Sequence, residues 1–161
     1  MNIDENDPRL KAVINKYSAG PVSGIFTDGG ATPNPGRGGW GAVFVKESKI
    51  IWQLAGFSEN STNNRMELTA IIESLKKLSY DDAVTIYADS QLCVNTLNIW
   101  AKNWEIKNWT KKGGEIKNLD LVKEAYELKN SHPMVKLEWT RGHNGWRWNE
   151  YADVLSRLWI G

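Results

Sequence analysis

Apolar positions along the chain follow two periods in turn. In DPRLKAVINKY, residues 7–17, Asp7 stands as an N-cap, Pro8 takes the first helical position, and Leu10, Val13, Ile14 and Tyr17 fall at helical spacing, which predicts a short amphipathic helix. Alone such a helix is marginal, so it must lie on the domain surface or dock a partner. The polar segment closes in SAGPV, which reads as a linker. From Val22 the pattern becomes strand-like: VSGIFTD (22–28) runs to Asp28, the turn-rich GGATPNPGRGG follows, and WGAVFVK and KIIWQLAGFS are separated by Glu47 and Ser48 alone, which predicts an antiparallel meander. NNRMELTAIIESLKKLS returns to helical spacing at Leu68, Ile71, Ile72, Leu75 and Leu78, with Glu67 in its first turn. AVTIYAD then reads as a buried strand reached by a helical crossover, hence parallel to an earlier one. Helical segments at 90–98, 100–108 and 119–130, a strand MVKLEWT (134–140) and a final helix within 147–159 complete the order βββαβαααβα. That order implies an α/β fold on a mixed sheet.

Composition narrows the picture. With 161 residues, 41% hydrophobic and 24% charged, the chain can bury one sizeable core but not two, so one domain is expected at 22–161 behind an N-terminal extension at 1–21. A net charge of +1 gives no global pull on nucleic acid or membrane, so either affinity must come from a local patch. No apolar run approaches the roughly 20 residues a bilayer span requires. A lone cysteine, Cys93, excludes an internal disulfide, and the first twenty residues do not resemble a secretory leader; a reducing, cytoplasmic setting is expected. Nine Trp exceed what so small a core needs, which assigns some of them to the surface.

The carboxylates carry the first chemical signal. Asp28 and Asp89 both follow apolar runs, and adjacent strands of a mixed sheet would bring two such ends together. Glu67 can lie at the same end, and Asp153 can join if the last helix packs there. No Lys or Arg stands within several residues of Asp89 to compensate it. Two carboxylates about 4 Å apart repel by roughly 4 kcal/mol at an effective dielectric of about 20, so a cluster of four must take up protons or cations. Oxygen donors without thiolates or a His cluster favour Mg²⁺ or Mn²⁺ over zinc. Taken singly, each is equally an ordinary solvated or capping carboxylate, and spacing alone leaves both readings open.

Four stretches, FTDGGATPNPGRGGWGAV, TNNRMELTAI, ADSQ and RGHNGWRWNEYAD, carry in that order a resemblance to type 1 ribonuclease H, and to its bacterial members in particular, from about Ile25 to Leu158. The resemblance implies a ribonuclease H-like fold, with a mixed five-stranded sheet and helices on both faces. It further implies endonucleolytic hydrolysis of the RNA strand of RNA/DNA hybrids by two-metal-ion catalysis, with 5′-phosphate and 3′-hydroxyl products. The family's metal-binding carboxylates match Asp28, Glu67, Asp89 and Asp153. By the same resemblance Asp28 bridges two Mg²⁺ ions, or Mn²⁺ in their place, with Glu67 and Asp89 toward the leaving group and Asp153 toward the attacking water. His143 in RGHNG matches the family's mobile histidine, which assists proton movement or product release.

For the substrate, the resemblance implies that Asn34, Asn64 and Gln91, with the Gly29 backbone, contact the RNA strand, whose 2′-hydroxyl is the handle repeated at every nucleotide. Turn and cap chemistry is the other reading of Asn34 and Asn64. Residues 100–118, WAKNWEIKNWTKKGGEIKN, match the family's basic protrusion: Lys102, Lys107, Lys111, Lys112 and Lys117 stand against Glu105 and Glu115 and are interleaved with Trp100, Trp104 and Trp109. Trp100 is expected to stack on DNA-strand sugars, and Trp104 and Trp109 to be structural. Thr62 and Asn118 match positions that hold a DNA-strand phosphate.

The chain also departs from the family pattern. Where an arginine is expected before the Thr-rich turn, SENST offers Asn60 or Glu59, which weakens the phosphate grip. GWRWNE places Trp146, Arg147 and Trp148 between His143 and Asp153 without an assigned role. The sequence stops at Gly161, soon after the last helix, so the N-terminal segment or LWIG is expected to anchor the helix that carries Asp153. The expected partner is an RNA/DNA hybrid, bound by a monomer away from any membrane. Two rivals are a related metal-dependent nuclease of the same fold, of integrase or resolvase type, and a nucleic-acid-binding module without catalysis.

Overall fold

The computed structural model describes residues 1–161. Helix α1 (Pro8–Lys16) begins where Asp7 accepts a hydrogen bond from the Arg9 amide at 2.8 Å. Three strands follow, β1 (Gly24–Ala31), β2 (Gly36–Lys46) and β3 (Lys49–Ser61), paired antiparallel in sequence. The two-residue turn between β2 and β3 needs positive φ at both Glu47 and Ser48, a conformation that favours Gly or Asn. Here the preceding segment compensates: Ser23 Oγ accepts from the Glu47 amide, and the Ser48 amide donates to the Val22 carbonyl.

Helix α2 (Asn63–Lys76) crosses over to β4 (Thr85–Ala88), which lies parallel to β1, and β5 (Lys136–Trp139) lies parallel to β4. The sheet order is β3-β2-β1-β4-β5. The two helices expected at 90–98 and 100–108 are one run: α3 (Gln91–Asn95) passes through a π turn at Thr96–Trp100 into α4 (Ala101–Ile106). The Thr96 hydroxyl donates to the Leu92 carbonyl and Asn98 donates to the Leu137 carbonyl, so the widened turn is tied to itself and to β5. Helix α5 (Leu119–Asn130) and helix α6 (Arg147–Ser156) complete the chain.

Alternation along the strands divides the interior between two layers. Ile25, Phe44, Ile86 and Leu137 face α2 and α5 in the larger core, whereas Phe26, Val43, Val45 and Ala55 face α6 and α1 in the smaller one. Phe26 and Ile25 are fully buried, each worth about 1.5–3 kcal/mol. The stretch read as a linker is docked: Ala19 forms a parallel bridge with Trp146. No helix is long and apolar enough to cross a membrane.

Candidate active site

The parallel pairing of β1 and β4 ends at Thr27 and Ala88, and the next residue along the chain is in each case an aspartate, Asp28 within β1 and Asp89 just past β4. Asp28 does not end its strand, as the apolar run suggests; β1 continues to Ala31 because β2 still pairs with it, Gly41 opposite Asp28. Two glycines then let helices close on this point. A β-carbon at Gly29 would collide with the Met66–Glu67 backbone, so its absence brings the start of α2, and with it Glu67, against β1. A β-carbon at Gly41 would strike Leu155 and Ser156, so its absence seats α6, and with it Asp153, beside Asp28.

Asp28, Glu67 and Asp89 each offer a carboxylate oxygen, and these oxygens lie within 4.8 Å of one another. Asp28 and Glu67 are buried, and none of the three forms an ion pair. The Gly29 amide donates to Asp28 Oδ1 at 2.8 Å, while Glu67 Oε2 is buried with no hydrogen-bond partner at all. Burial first, then the neighbouring carboxylates, push both Asp28 and Glu67 well above the ordinary carboxylate range. An orphaned buried oxygen in a pocket of oxygen donors fits a hard divalent cation, and nothing in the chain supplies a substitute charge.

A second group comes from α6 and the loop before it. His143, Glu150 and Asp153 also place ligand atoms within 4.8 Å of one another. Unlike the first three, these side chains face ion-pair partners: His143 Nδ1 lies 3.5 Å from Glu150 Oε2, and Arg157 donates to Asp153 Oδ2 at 2.7 Å. His143 is 76% exposed, at positive φ, on a loop knitted by Asn144 and Asn149. Asp28, Glu67, Asp89, Asp153 and His143 line one open cleft of about 420 Å³.

The residues matched to substrate binding occupy two places. Gly29 and Asn64 line the cleft; Asn34 uses its side-chain oxygen to accept from the Asn63 amide, and Gln91 is exposed at the start of α3. Thr62 caps α2 by accepting from the Arg65 amide at 3.2 Å. Trp100, Asn118, Lys111 and Lys117 share a second groove with Asn64, next to the cleft, whereas Lys102, Lys107 and Lys112 are exposed outside it. Trp104 and Trp109 pack against the larger core, Trp109 edge-on to Tyr126. Beside Asn60, Glu59 pairs with Arg37 of the adjacent strand at 3.1 Å.

Several contributors were not singled out from sequence. Asn63 lines the cleft and accepts from the Ala31 amide, and Arg65 makes a bidentate pair with Asp120 that ties α2 to α5 and holds the Asp120 carboxyl down at about 2. Glu150 and Arg157 stand at i−3 and i+4 from Asp153, spacings that place them on its helix face and could have flagged both.

A family model described as RNase H matches residues 22–159. Ribonuclease HI of Helicobacter pylori is 42% identical over 134 residues, covering 83% of this chain and 90% of its own. Ribonuclease H of Caldicellulosiruptor saccharolyticus is 44% identical over 138 residues, covering 84% and 94%. Among solved structures, LC9-RNase H1, a type 1 RNase H with the type 2 active-site motif, is similar with a TM-score of 0.67 and 28% identity over 86% of this chain and 72% of that one. With sheet, cleft and sequence in agreement across nearly the whole domain, the chain belongs to the ribonuclease H family.

Proposed function

We propose that Asp28, Glu67, Asp89 and Asp153 hold two Mg²⁺ ions, with Mn²⁺ as a substitute, for the hydrolysis that defines the family: endonucleolytic cleavage of the RNA strand of an RNA/DNA hybrid to 5′-phosphate and 3′-hydroxyl products. The observation that carries the reading is the buried Asp28–Glu67–Asp89 cluster, in which Glu67 Oε2 has no partner. The ions, when bound, supply water activation and neutralise charge developing on the phosphate. The chain's own residues do the rest. The Gly29 amide fixes one oxygen of Asp28, which leaves the other directed to the cleft. His143, exposed on its loop at the cleft with Nδ1 3.5 Å from Glu150, assists proton movement or product release. Asn34, Asn64, Gln91 and the Gly29 backbone take the 2′-hydroxyls and select RNA on one strand.

Thr62, Asn118 and Trp100 take the DNA strand, and the five protrusion lysines, Lys102, Lys107, Lys111, Lys112 and Lys117, supply phosphate affinity that a net charge of +1 does not. The enzyme acts as a monomer, and its single buried Cys93 suits the reducing cytoplasm. Labelled RNA/DNA, RNA/RNA and DNA/DNA duplexes incubated with and without EDTA test the reading: only the hybrid is cut, only in its RNA strand, and only without EDTA. Cleavage of DNA/DNA at a comparable rate would assign the chain to another nuclease of this fold, and hybrid binding without cleavage to a non-catalytic module.

A further inference from the structure

The N-terminal segment and the Trp146-Arg147-Trp148 triplet are two features that the ribonuclease H reading leaves without a task, and in the folded chain they meet. Arg147, the first residue of α6, donates from Nε to the Tyr17 carbonyl at 2.6 Å and from Nη2 to the Ile14 carbonyl at 3.3 Å. Both carbonyls belong to the end of α1, where backbone acceptors lack helical partners and the dipole favours a cation. The Arg147 amide also donates to Ala19. On one side of Arg147, the Trp146 ring lies over Gly20, too close for any β-carbon there, and edge-on to Tyr87. On the other, Trp148 is 3% exposed in the smaller core with Leu10, which is 1% exposed. At the opposite end of α1, Arg9 donates to the Ile160 and Leu158 carbonyls just beyond α6. One nine-residue helix therefore grips α6 at both ends.

The element so gripped carries Glu150 and Asp153, Arg157 follows at its C-cap, and its entry loop carries His143. That loop is anchored to the same first turn, where Asn149 reaches Arg141 and Asn144. We propose that Arg147 is a positioning residue: by locking residues 7–20 onto the start of α6, it sets where Asp153 and His143 stand relative to Asp28. The proposal rests on the catalytic reading above. It makes the N-terminal segment, which lies outside the matched residues 22–159, a working part of the active site.

The test compares wild type, Arg147→Ala and Arg147→Lys on an RNA/DNA hybrid, well below each protein's melting temperature. Hydrogen exchange of residues 141–150 is followed in the metal-free proteins. Arg147→Ala is expected to lower kcat about tenfold with KM for the hybrid within twofold, to raise the half-saturating Mg²⁺ concentration several-fold, and to speed exchange in the loop. Arg147→Lys, which keeps the cation but loses the fork, is expected to fall between, and it carries the test if the alanine variant does not fold. Unchanged kcat, Mg²⁺ requirement and loop exchange in a variant with a lowered Tm would reduce Arg147 to a stabilising contact and overturn the proposal. A wild type that leaves the hybrid uncut would instead refute the catalytic reading, while the exchange measurement would still report on the clamp.

Discussion

The cleft has two halves, built differently. Asp28, Glu67 and Asp89 come from β1, α2 and the residue just past β4, and no cationic side chain pairs with them. Asp153, Glu150 and His143 come from α6 and its loop over the smaller core, and each already has a partner. The first half is largely buried and electrostatically incomplete, so an ion entering it relieves repulsion that the fold has stored. The second half is satisfied without an ion, so an ion there must displace an existing contact. Affinity should therefore be concentrated in the buried half, and adjustability in the half that α1 braces.

The largest effect that sharpens this contrast is expected from Asp28→Asn. Removing that charge should lower hybrid cleavage by roughly 10³-fold or more, about 4 kcal/mol of transition-state stabilisation. In EDTA the same variant should melt higher than wild type, since it removes one charge from a buried trio. Asp153→Asn should also lose cleavage but should not melt higher, because it forfeits the 2.7 Å contact with Arg157. Equal Tm shifts for the two variants, from thermal melts in EDTA, would erase the distinction between the halves.

The acidity of the buried half gives a second expectation. Asp28 and Glu67 hold protons in the folded state at pH values where the unfolded chain has released them, because burial and their acidic neighbours raise both. The stability this contributes is complete below the ordinary carboxylate range and is lost as pH rises through the raised values, at up to about 1.4 kcal/mol per pH unit for each group. Melting the metal-free protein across that window should show Tm falling with pH, with Mg²⁺ restoring it at the alkaline side. A flat profile in EDTA would mean that the cluster is not strained.

His143→Ala probes the other half and should be milder. The ring is exposed, so Tm should hardly move, and turnover should slow by about 10–100-fold, at or below the range typical of a lost proton-transfer group. Complete loss of cleavage at saturating Mg²⁺ would show the peripheral half to be as indispensable as the buried one.

Much of this contrast was legible in the sequence, and unevenly so. Asp28 and Asp89 follow apolar runs, and Glu67 sits in the first turn of a crossover helix, so the topology of a mixed sheet brings them together before any coordinate is known. The β1 end was misplaced because apolar alternation stops at Asp28 while backbone pairing with glycine-rich β2 does not. The π turn was invisible, since apolar spacing does not report hydrogen-bond register. Arg147 illustrates the deeper limit: its partners are carbonyls some 130 residues earlier, and backbone acceptors carry no side-chain signature in a sequence. The buried half was readable because its chemistry is in its side chains; the brace of the peripheral half was not, because half of it is main chain.

The smallest expected effect isolates the exchange of partners itself. Arg157 occupies Asp153 at 2.7 Å, one helical turn away, with its own side chain 55% exposed. Exposed pairs of this kind are worth only ~0.2–1 kcal/mol, so an ion that displaces the guanidinium loses that much and no more. Arg157→Ala should thus lower the Mg²⁺ concentration for half-maximal cleavage by about two- to fivefold, with the largest gain at low ionic strength, where the competing pair is least screened. Calorimetric Mg²⁺ titration of the wild type and Arg157→Ala proteins without substrate checks the same shift. A weaker Mg²⁺ affinity in the variant would mean that Arg157 holds Asp153 in place for the ion rather than holding the ion's place.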